Sequence, residues 1–339
     1  MGMSAAPLPC SYLVPVRWAG GEARAELSAY LGAVAEICAE LIVVDGSPAA
    51  VFAANRAAFA PVVSAHLPPD PDLGCLNGKV AGVLTAARRA GQEALVIADD
   101  DVRYDRPALA RALDLLGEHD LVRPQNYFQP LPWHARWDTA RTLLNRAFGR
   151  DYPGTLAVRR SRLLALGGYD GDVLFENLEL IRTVEAAGGS VASPLDLYVR
   201  RLPPTASHFR GQRVRQAYDD FAIPARIAAW LALLPLLGIA VARRRAGPPA
   251  ALALASAAAA ELGRRRAGGA CYFPAAGAAL APLWLLERGV CSWLALHARL
   301  RRGGVTYGGR RIAVAANSKR RLRRRTRLPS QPAGEDGLR

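Results

Sequence analysis

The chain has 339 residues, 51% of them hydrophobic, and a formal net charge of +15. Its length and apolar content allow a large buried core, which excludes an intrinsically disordered protein. The positive charge lies in the C-terminal third, since residues 221–339 hold 21 of the 44 Lys and Arg but 4 of the 29 Asp and Glu. Because the most apolar segments lie in the same third, the basic residues indicate a membrane surface, and no nucleic-acid partner is expected.

Cysteine usage and the N-terminal sequence indicate a reducing, cytosolic setting. The five cysteines are scattered, odd in number and without a CxxC pair, which argues against a disulfide framework or a zinc site. The N-terminal stretch MGMSAAPLPCSYLVPV has no basic segment before an apolar run, so no signal peptide is expected. Ala6 stands where a myristoylation pattern needs Ser or Thr.

Short strand-like runs alternate with helical segments through the first 200 residues. The stronger strand predictions are 11–16, 40–46, 60–67 and 94–100, and the weaker ones are 120–125, 154–160 and 189–193. An Ala-rich helical segment at 78–91 lies among them. This alternation predicts an α/β fold with a mostly parallel sheet covered by helices on both faces.

Acidic residues follow two of these strands. Asp45 ends the run IVVD, and Asp99, Asp100 and Asp101 follow the run ALVIA. Asp45 alone also fits an Asp-Gly turn, and the acidic run alone also fits a solvated turn that caps the next helix. Ligands of open α/β sheets bind beyond the carboxyl ends of the strands, so two acidic strand ends favour a shared ligand. Adjacent carboxylates repel each other, and a bound cation would offset that repulsion.

The C-terminal third contains three apolar segments, at 227–242, 248–262 and 271–296. A full membrane span needs about 20 apolar residues, so the first is marginal, the second is short, and the third is adequate apart from Glu287 and Arg288. Arginine triplets on both sides of the second segment conflict with simple alternating topology, which favours a re-entrant or interfacial segment.

These changes in composition divide the chain into three parts. Residues 1–220 are predicted to be a soluble domain, and residues 221–312 are predicted to be membrane-associated helices. Residues 313–339 are predicted to be a basic, disordered tail suited to an anionic leaflet.

Five short motifs occur in a distinctive order: VVDG (43–46), GK (78–79), ADDDV (98–102), GGYDGDVLFENLEL (167–180) and QRVRQ (212–216). The ordered set, followed by apolar segments, resembles the processive-type and lipid-directed family 2 glycosyltransferases of GT-A fold. Within that group it is most similar to the ceramide glucosyltransferase and hopanoid-associated branch. The resemblance implies a Rossmann-like nucleotide-sugar domain followed by a C-terminal membrane-associated helical region.

The resemblance assigns roles to the strand-end acids. Asp45 would contact the base or ribose of a nucleotide-sugar. Asp99 and Asp101 would hold a divalent metal, Mg²⁺ or Mn²⁺, on its diphosphate, with Asp100 between them at the nucleotide-sugar. Hard cations of this kind take carboxylate and phosphate oxygens. Lys79 would assist at the nucleotide, although a lysine on a surface helix also fits simple solvation.

The family's general base is the aspartate of a Glu-Asp pair, and here the pair reads Glu176-Asn177. An amide cannot accept the acceptor's proton, so the base must be another residue. Glu176 and Glu179 share a helix face by their spacing and are the catalytic candidates, with Asp172 as a further one. Both glutamates also fit ordinary helix-surface acids.

The family's Q/RxxRW motif binds the diphosphate and lies at the acceptor entrance. Gln212 and Arg215 match it, whereas Gln216 replaces the tryptophan. The polar pair can still donate to phosphate oxygens, but the stacking platform is lost, which favours transfer of a single sugar. The same segment also fits an amphipathic helix that precedes a membrane segment.

A segment rich in aromatic residues, 126–155, is predicted to be a loop between strands. Trp133, His134 and Trp137 are its candidates for stacking on a sugar or lining a lipid entrance. For the histidine, a structural role is the usual alternative.

The resemblance therefore implies a membrane-bound, metal-dependent inverting glycosyltransferase that moves one sugar from a nucleotide-sugar to a lipid hydroxyl. Its catalytic domain would lie on the cytoplasmic side of the cell (inner) membrane. Asn177 motivates an alternative, a membrane-anchored nucleotide-sugar or lipid-binding protein that has lost catalysis. A nucleic-acid-binding protein, suggested by the net charge, would need basic residues interleaved with aromatic ones on a folded surface.

Overall fold

A computed structural model describes residues 6–20 and 23–327. Its strands are β1 (Leu8–Val16), β2 (Cys38–Asp45), β3 (Ala65–Leu67), β4 (Ala94–Ala98), β5 (Val102–Arg103), β6 (Leu121–Val122), β7 (Gln125–Phe128), β8 (Thr155–Arg159), β9 (Val191–Ala192), β10 (Tyr198–Arg201), β11 (Val305–Tyr307) and β12 (Arg310–Ile312). Its helices are α1 (Arg24–Ala35), α2 (Ala49–Phe59), α3 (Gly78–Arg89), α4 (Arg106–Glu118), α5 (Trp133–Phe148), α6 (Arg160–Ala165), α7 (Glu176–Ala186), α8 (Ala206–Tyr218), α9 (Pro224–Ala242), α10 (Gly247–Arg265), α11 (Ala275–Ala279), α12 (Ala281–Arg302) and α13 (Lys319–Arg327).

The main sheet has the strand order β3-β2-β1-β4-β8-β6-β9. The first four strands run parallel, and β8 is antiparallel to both of its neighbours. Buried residues of α1, α2 and α4 cover one face, and those of α3, α6 and α7 cover the other. Because β1, β2 and β4 are covered on both faces, their sequences are near-continuous apolar runs. The predicted α/β fold with a mostly parallel sheet is confirmed.

The chain order reverses between β1 and β4, which makes this the topological switch point of the sheet. Val16 at the end of β1 lies beside Asp45 at the end of β2, and Asp99 follows the end of β4. In open α/β sheets the crevice at such a point is where ligands bind. The fold therefore brings both acidic strand ends to one edge.

A second sheet, β5-β10-β7, lies beside that edge. Arg201 at the end of β10 pairs with Val102 in β5 and with Phe128 in β7. This pairing brings the Arg201 side chain to the residues that follow β4.

Two local predictions from sequence are wrong. The run 60–67 is a strand only at Ala65–Leu67, because Val62 and Val63 continue the turn after α2 and both donate to the Phe59 carbonyl, at 2.9 and 3.1 Å. The aromatic segment 126–155 is not a loop, since residues 133–148 form α5. The buried residues of α5 recur at helical spacing. The loop prediction rested on aromatic content and did not take this spacing into account.

The C-terminal helices pack against the α/β part of the chain. α10 and α11 lie along α5, and α12 lies against α8 and α9. Among the described residues, only α9 is long and apolar enough to cross a membrane. The third apolar segment, predicted to be an adequate span, is broken into a 3-10 turn (Arg266–Cys271), α11 and α12, with Arg288 buried inside the last of these.

The basic tail begins as ordered structure. Asn317 is buried and bonded to Glu179, and α13 packs against α7. The prediction of disorder is therefore wrong for residues 313–327, and residues 328–339 lie outside the described residues.

We expect Gly263→Ala to lower the free energy of unfolding by about 1–3 kcal/mol, because overpacking shifts a well-packed interface. A β-carbon there would overlap the Leu143 carbonyl oxygen and lie 2.9 Å from the Ala147 nitrogen, where α10 crosses α5. The matched control is Gly238→Ala in α9, where a β-carbon meets nothing within 4 Å. Thermal unfolding of both variants in detergent measures the difference; equal midpoints would contradict the close helix crossing.

Candidate functional site

A cleft of about 1330 Å³ lies at the carboxyl edge of the parallel strands. Its walls come from the segments after β1, β2 and β4, the first turns of α3 and α7, and parts of α8, α9 and α12. Pockets for single small ligands are typically about 300–1,000 Å³, so the cleft has room for two substrates side by side.

Two carboxylates of the acidic run that follows β4 bind a single guanidinium. Arg201 donates through Nε to both carboxylate oxygens of Asp101 at 2.9 Å, and through a terminal nitrogen to Asp99 at 3.2 Å. The Asp99 backbone nitrogen donates to the Gly154 carbonyl at 2.9 Å, which fixes the turn against β8. The middle carboxylate, Asp100, points the other way and accepts from the Trp18 indole at 2.6 Å.

Lys79 joins this acidic run to α7. Asn77 caps α3 by accepting from the Lys79 backbone nitrogen at 3.1 Å, which places the lysine in the first turn. The Lys79 ammonium lies 2.5 Å from an Asp99 oxygen and 2.7 Å from Glu176. The lysine therefore holds together two carboxylates that are 77 positions apart in sequence.

The charged side chains in this part of the cleft shift one another's pKa values. Burial on its own would lower the pKa of Lys79, but Asp99 and Glu176 outweigh it and raise that pKa above its ordinary value, so the lysine stays charged. Burial raises the pKa of Asp101, Arg201 opposes the rise, and Asp99 and Asp100 add to it. The carboxylates are thus only partly neutralised by the two cations.

The residues present fit a divalent cation. Among residues 6–20 and 23–327 there is no group of three His, Cys, Asp or Glu side chains arranged to hold a metal. Mg²⁺ nevertheless needs only one or two carboxylates when phosphates and water complete its shell. Asp99 and Asp101 supply that hard-oxygen pair, and Gly154 leaves space beside it, since a β-carbon there would lie 2.6 Å from an Asp99 oxygen.

The structure places Asp45 beneath the cleft rather than in its lining. The carboxylate is buried and accepts from the Ser47 backbone nitrogen and the Asn55 amide, both at 2.8 Å, and contacts the His66 ring at 3.3 Å. Its neighbour Gly46 does line the cleft. Both Asp45 oxygens are therefore engaged inside the protein.

The predicted catalytic residues separate in space. Glu176 lines the cleft and is bound to Lys79. Asn177 also lines it, and its amide nitrogen donates to the Pro153 carbonyl at 2.8 Å.

Glu179 is fully buried outside the lining and accepts from the Asn317 backbone and amide nitrogens, each at 2.7 Å. Asp172 accepts from the Leu76 backbone nitrogen at 3.0 Å and is also not part of the lining.

The acceptor-side predictions separate as well. Gln212, Arg215 and His134 line the cleft, and the His134 Nε2 lies 2.7 Å from the Pro204 carbonyl oxygen. Trp133 is 56% exposed and is not part of the cleft lining. Trp137 points to the C-terminal helices, where its indole donates to Glu287.

Sequence reasoning missed several residues that form the walls of the cleft. Arg201 binds both predicted metal ligands, yet the sequence YVRRLPP marks neither of its arginines. Arg226 and Arg288 line the far wall, and each forms an ion pair with Asp220, at 3.0 and 3.7 Å. For Arg226 and Arg288, the signal in the sequence was an arginine in or beside an apolar segment. A charged residue in such a place usually has a functional role or a buried partner of opposite charge.

No family model matches the sequence, and no curated protein matches it. Among solved structures, the fold is similar to that of a mannosyltransferase from Pyrobaculum calidifontis in complex with GDP-Man and Mn²⁺. The two sequences are 20% identical, the match covers 86% of this chain and 88% of that chain, and the TM-score is 0.48. It is also similar to glucosyl-3-phosphoglycerate synthase from Mycobacterium tuberculosis, with 15% identity, 59% and 74% coverage, and a TM-score of 0.43. Likenesses at these identities and TM-scores identify neither a family nor an activity for this chain.

We expect Asp45→Asn to lower the free energy of unfolding at pH 7 by about 2 kcal/mol. Burial would raise the pKa of Asp45, but hydrogen bonds from His66, Ser47 and Asn55 outweigh it and lower the pKa to about 2. A depressed folded-state pKa stabilises the protein above the unfolded-state pKa, near 4, and that stabilisation is lost as the pH falls toward 2.

Urea unfolding of wild type and Asp45→Asn at pH 7, 5 and 3.5 measures the effect. The difference in stability should be largest at pH 7 and narrower at pH 3.5. Asp196→Asn, at a side chain 56% exposed, is the control and should match wild type. Equal stability of Asp45→Asn and wild type at pH 7 would contradict the structural role of the buried carboxylate.

Proposed function

We propose that this chain is a metal-dependent, inverting glycosyltransferase of the family 2 type and GT-A fold, which moves one sugar from a nucleotide-sugar to the hydroxyl of a lipid acceptor. The observation that carries the proposal is the pair Asp99 and Asp101 at the switch point of a parallel sheet, bound to Lys79 and Arg201 in the lining of a cleft of about 1330 Å³. The cations and the N-terminus of α3 suit the phosphate oxygens of a diphosphate, and the carboxylates suit a metal that would bind those oxygens too.

On the donor side, Lys79 and Arg201 would bind phosphate oxygens and orient the diphosphate toward the cleft. A divalent metal held by Asp99 and Asp101 would neutralise part of the negative charge that develops on the leaving diphosphate. Gly154 accepts from the Asp99 backbone nitrogen and leaves space beside the carboxylate pair, and Trp18 holds Asp100 between the two. Position and charge, rather than covalent chemistry, are the contribution of these side chains.

On the acceptor side, the cleft is walled by helices whose outer surfaces are apolar. α9 is apolar along nearly its whole length, and only 11% of its apolar stretch is buried. Exposed apolar side chains continue along α12, where Leu286, Val290 and Trp293 are 42%, 49% and 44% exposed. A lipid acceptor resting against these helices could present its hydroxyl to the cleft, and Gln216 in place of an aromatic platform fits a single transfer.

The charge distribution supports the cytoplasmic face of the inner membrane as the site of action. Basic residues crowd α13 and the turns between the apolar helices, and anionic headgroups attract such residues. The Asn177 amide, which donates to a carbonyl and cannot take up a proton, supports a second candidate function: a nucleotide-sugar-binding protein without turnover.

We expect membranes that contain the wild-type chain to transfer label from a panel of UDP- and GDP-sugars into the lipid fraction. EDTA, Asp99→Asn and Asp101→Asn should each lower the rate by about 10²-fold or more, because the leaving diphosphate loses several kcal/mol of charge stabilisation. Asp196→Asn, a surface carboxylate, is the matched control and should retain full activity. Nucleotide-sugar binding without transfer from any donor would instead support the second candidate.

We expect the double variant Leu236→Glu/Ile239→Glu to weaken binding to anionic vesicles by about tenfold or more. Each replaced side chain, 63% and 49% exposed on α9, removes apolar contact worth about 1.5–3 kcal/mol when fully buried in lipid. Leu164→Glu applies the same change to a leucine 37% exposed on α6 and should bind as wild type does. Vesicle co-sedimentation measures both, and equal binding by the double variant would contradict the placement of α9 at the membrane.

A further inference from the structure

Among the described residues, Asp219 is the carboxylate in the cleft lining that has neither a hydrogen bond nor an ion pair. Every other carboxylate of the lining is held by a donor through at least one oxygen: Glu26 by Arg103, Asp99 and Glu176 by Lys79, Asp100 by Trp18, Asp101 by Arg201, Asp138 by Arg141, and Asp220 by Arg226 through Oδ1, while its Oδ2 has no hydrogen bond. A buried polar atom without a partner is rare in folded proteins and calls for a specific explanation.

Asp219 lies at the carboxyl end of α8 and begins the 3-10 turn Asp219–Ala222. Its Oδ1 atom is buried although the residue belongs to the cleft lining. The charged groups that face it come from each neighbouring element: Arg215 from α8, Glu176 from α7, Asp220 from the same turn and Arg288 from α12.

These surroundings leave Asp219 able to exchange a proton near neutral pH. Burial raises the pKa of Asp219, and although Arg215 opposes this, Glu176 and Asp220 add to it, so that the pKa is about 7. A general base works best when its pKa is close to the working pH, because it is then both deprotonated and a strong proton acceptor.

The first turn of α7, where the sequence predicts the base, does not offer a free one. Glu176 is engaged in an ion pair with Lys79 at 2.7 Å, and the Asn177 side chain is an amide, which cannot accept the proton. Glu179 lies outside the cleft, with both oxygens bonded to Asn317. Asp219 follows Asn177 by 42 residues in the sequence. In the structure it lies close enough to Glu176 for the charge of Glu176 to raise its pKa.

We propose that Asp219 is the general base that takes the proton from the acceptor hydroxyl, an inference that rests on the proposed transferase function. The acceptor O–H bond breaks and its proton passes to a carboxylate oxygen of Asp219. The acceptor oxygen forms a bond to the anomeric carbon of the sugar, while the bond from that carbon to the diphosphate oxygen breaks. The electron pair of that bond leaves with the nucleoside diphosphate. The acceptor is thus a neutral hydroxyl, since an ionised phosphate acceptor would need no base.

The test compares wild type, Asp219→Asn, Asp219→Glu and the control Asp196→Asn in the full chain. We measure the rate of sugar transfer to lipid from pH 5.5 to 9, and the affinity for the nucleoside diphosphate with Mn²⁺. Wild type and the control should lose activity as the pH falls below about 7, since the base becomes protonated. Asp219→Asn should lose about 10²-fold or more in rate while its nucleotide affinity stays within threefold of wild type.

Asp219→Glu keeps a carboxylate and should retain part of the rate together with an acid limb. That variant also separates loss of the base from loss of folding. If Asp219→Asn retains both the wild-type rate and its acid limb, the base lies elsewhere and this inference fails while the transferase function stands. If wild type transfers no sugar from any donor, the proposed function fails, and the assignment of a base fails with it.

Discussion

The constraint on which the cleft depends is the repulsion among carboxylates at the end of β4. Asp99, Asp100 and Asp101 follow one another directly, and Glu176 is brought up to them by α7. At the low effective dielectric of a buried site, like charges at this separation cost several kcal/mol unless a cation lies between them. Lys79 and Arg201 meet that need from two different elements, which fixes α3, α7 and β10 around one point and leaves a cleft that suits phosphate and metal.

The C-terminal helices are part of the site rather than an attachment to it. Glu287 of α12 accepts from Arg213 of α8 and from Trp137 of α5, and its neighbour Arg288 forms an ion pair with Asp220 at 3.7 Å. Removing one member of a buried pair leaves an uncompensated charge, at a cost of about 3–5 kcal/mol. These pairs therefore fix how α12 lies against the α/β part, so that the exposed apolar side chains of α12 adjoin the cleft.

Residues whose positions depend on local pattern could be predicted from the sequence. Strand ends follow from apolar runs, which located Asp45 and the acidic run, and a Gly-Lys pair at the start of a helix located Lys79. Arg201 could not be found in this way, because its position depends on β10 pairing between β5 and β7, about 100 residues from Asp101. Glu176 and Glu179 both lie on α7, but the spacing that predicted a shared face could not show that Asn317, from a tail predicted to be disordered, covers Glu179 and keeps it out of the cleft.

Manganese anomalous diffraction from crystals of the wild-type chain grown with Mn²⁺ and either UDP or GDP tests directly whether Asp99 and Asp101 hold a metal on a diphosphate. We expect one strong manganese peak against the Asp99 and Asp101 oxygens, in contact with the diphosphate, and no peak in Asp101→Asn crystals. A diphosphate bound away from this edge, or no manganese while Arg201 still holds both carboxylates, would contradict it.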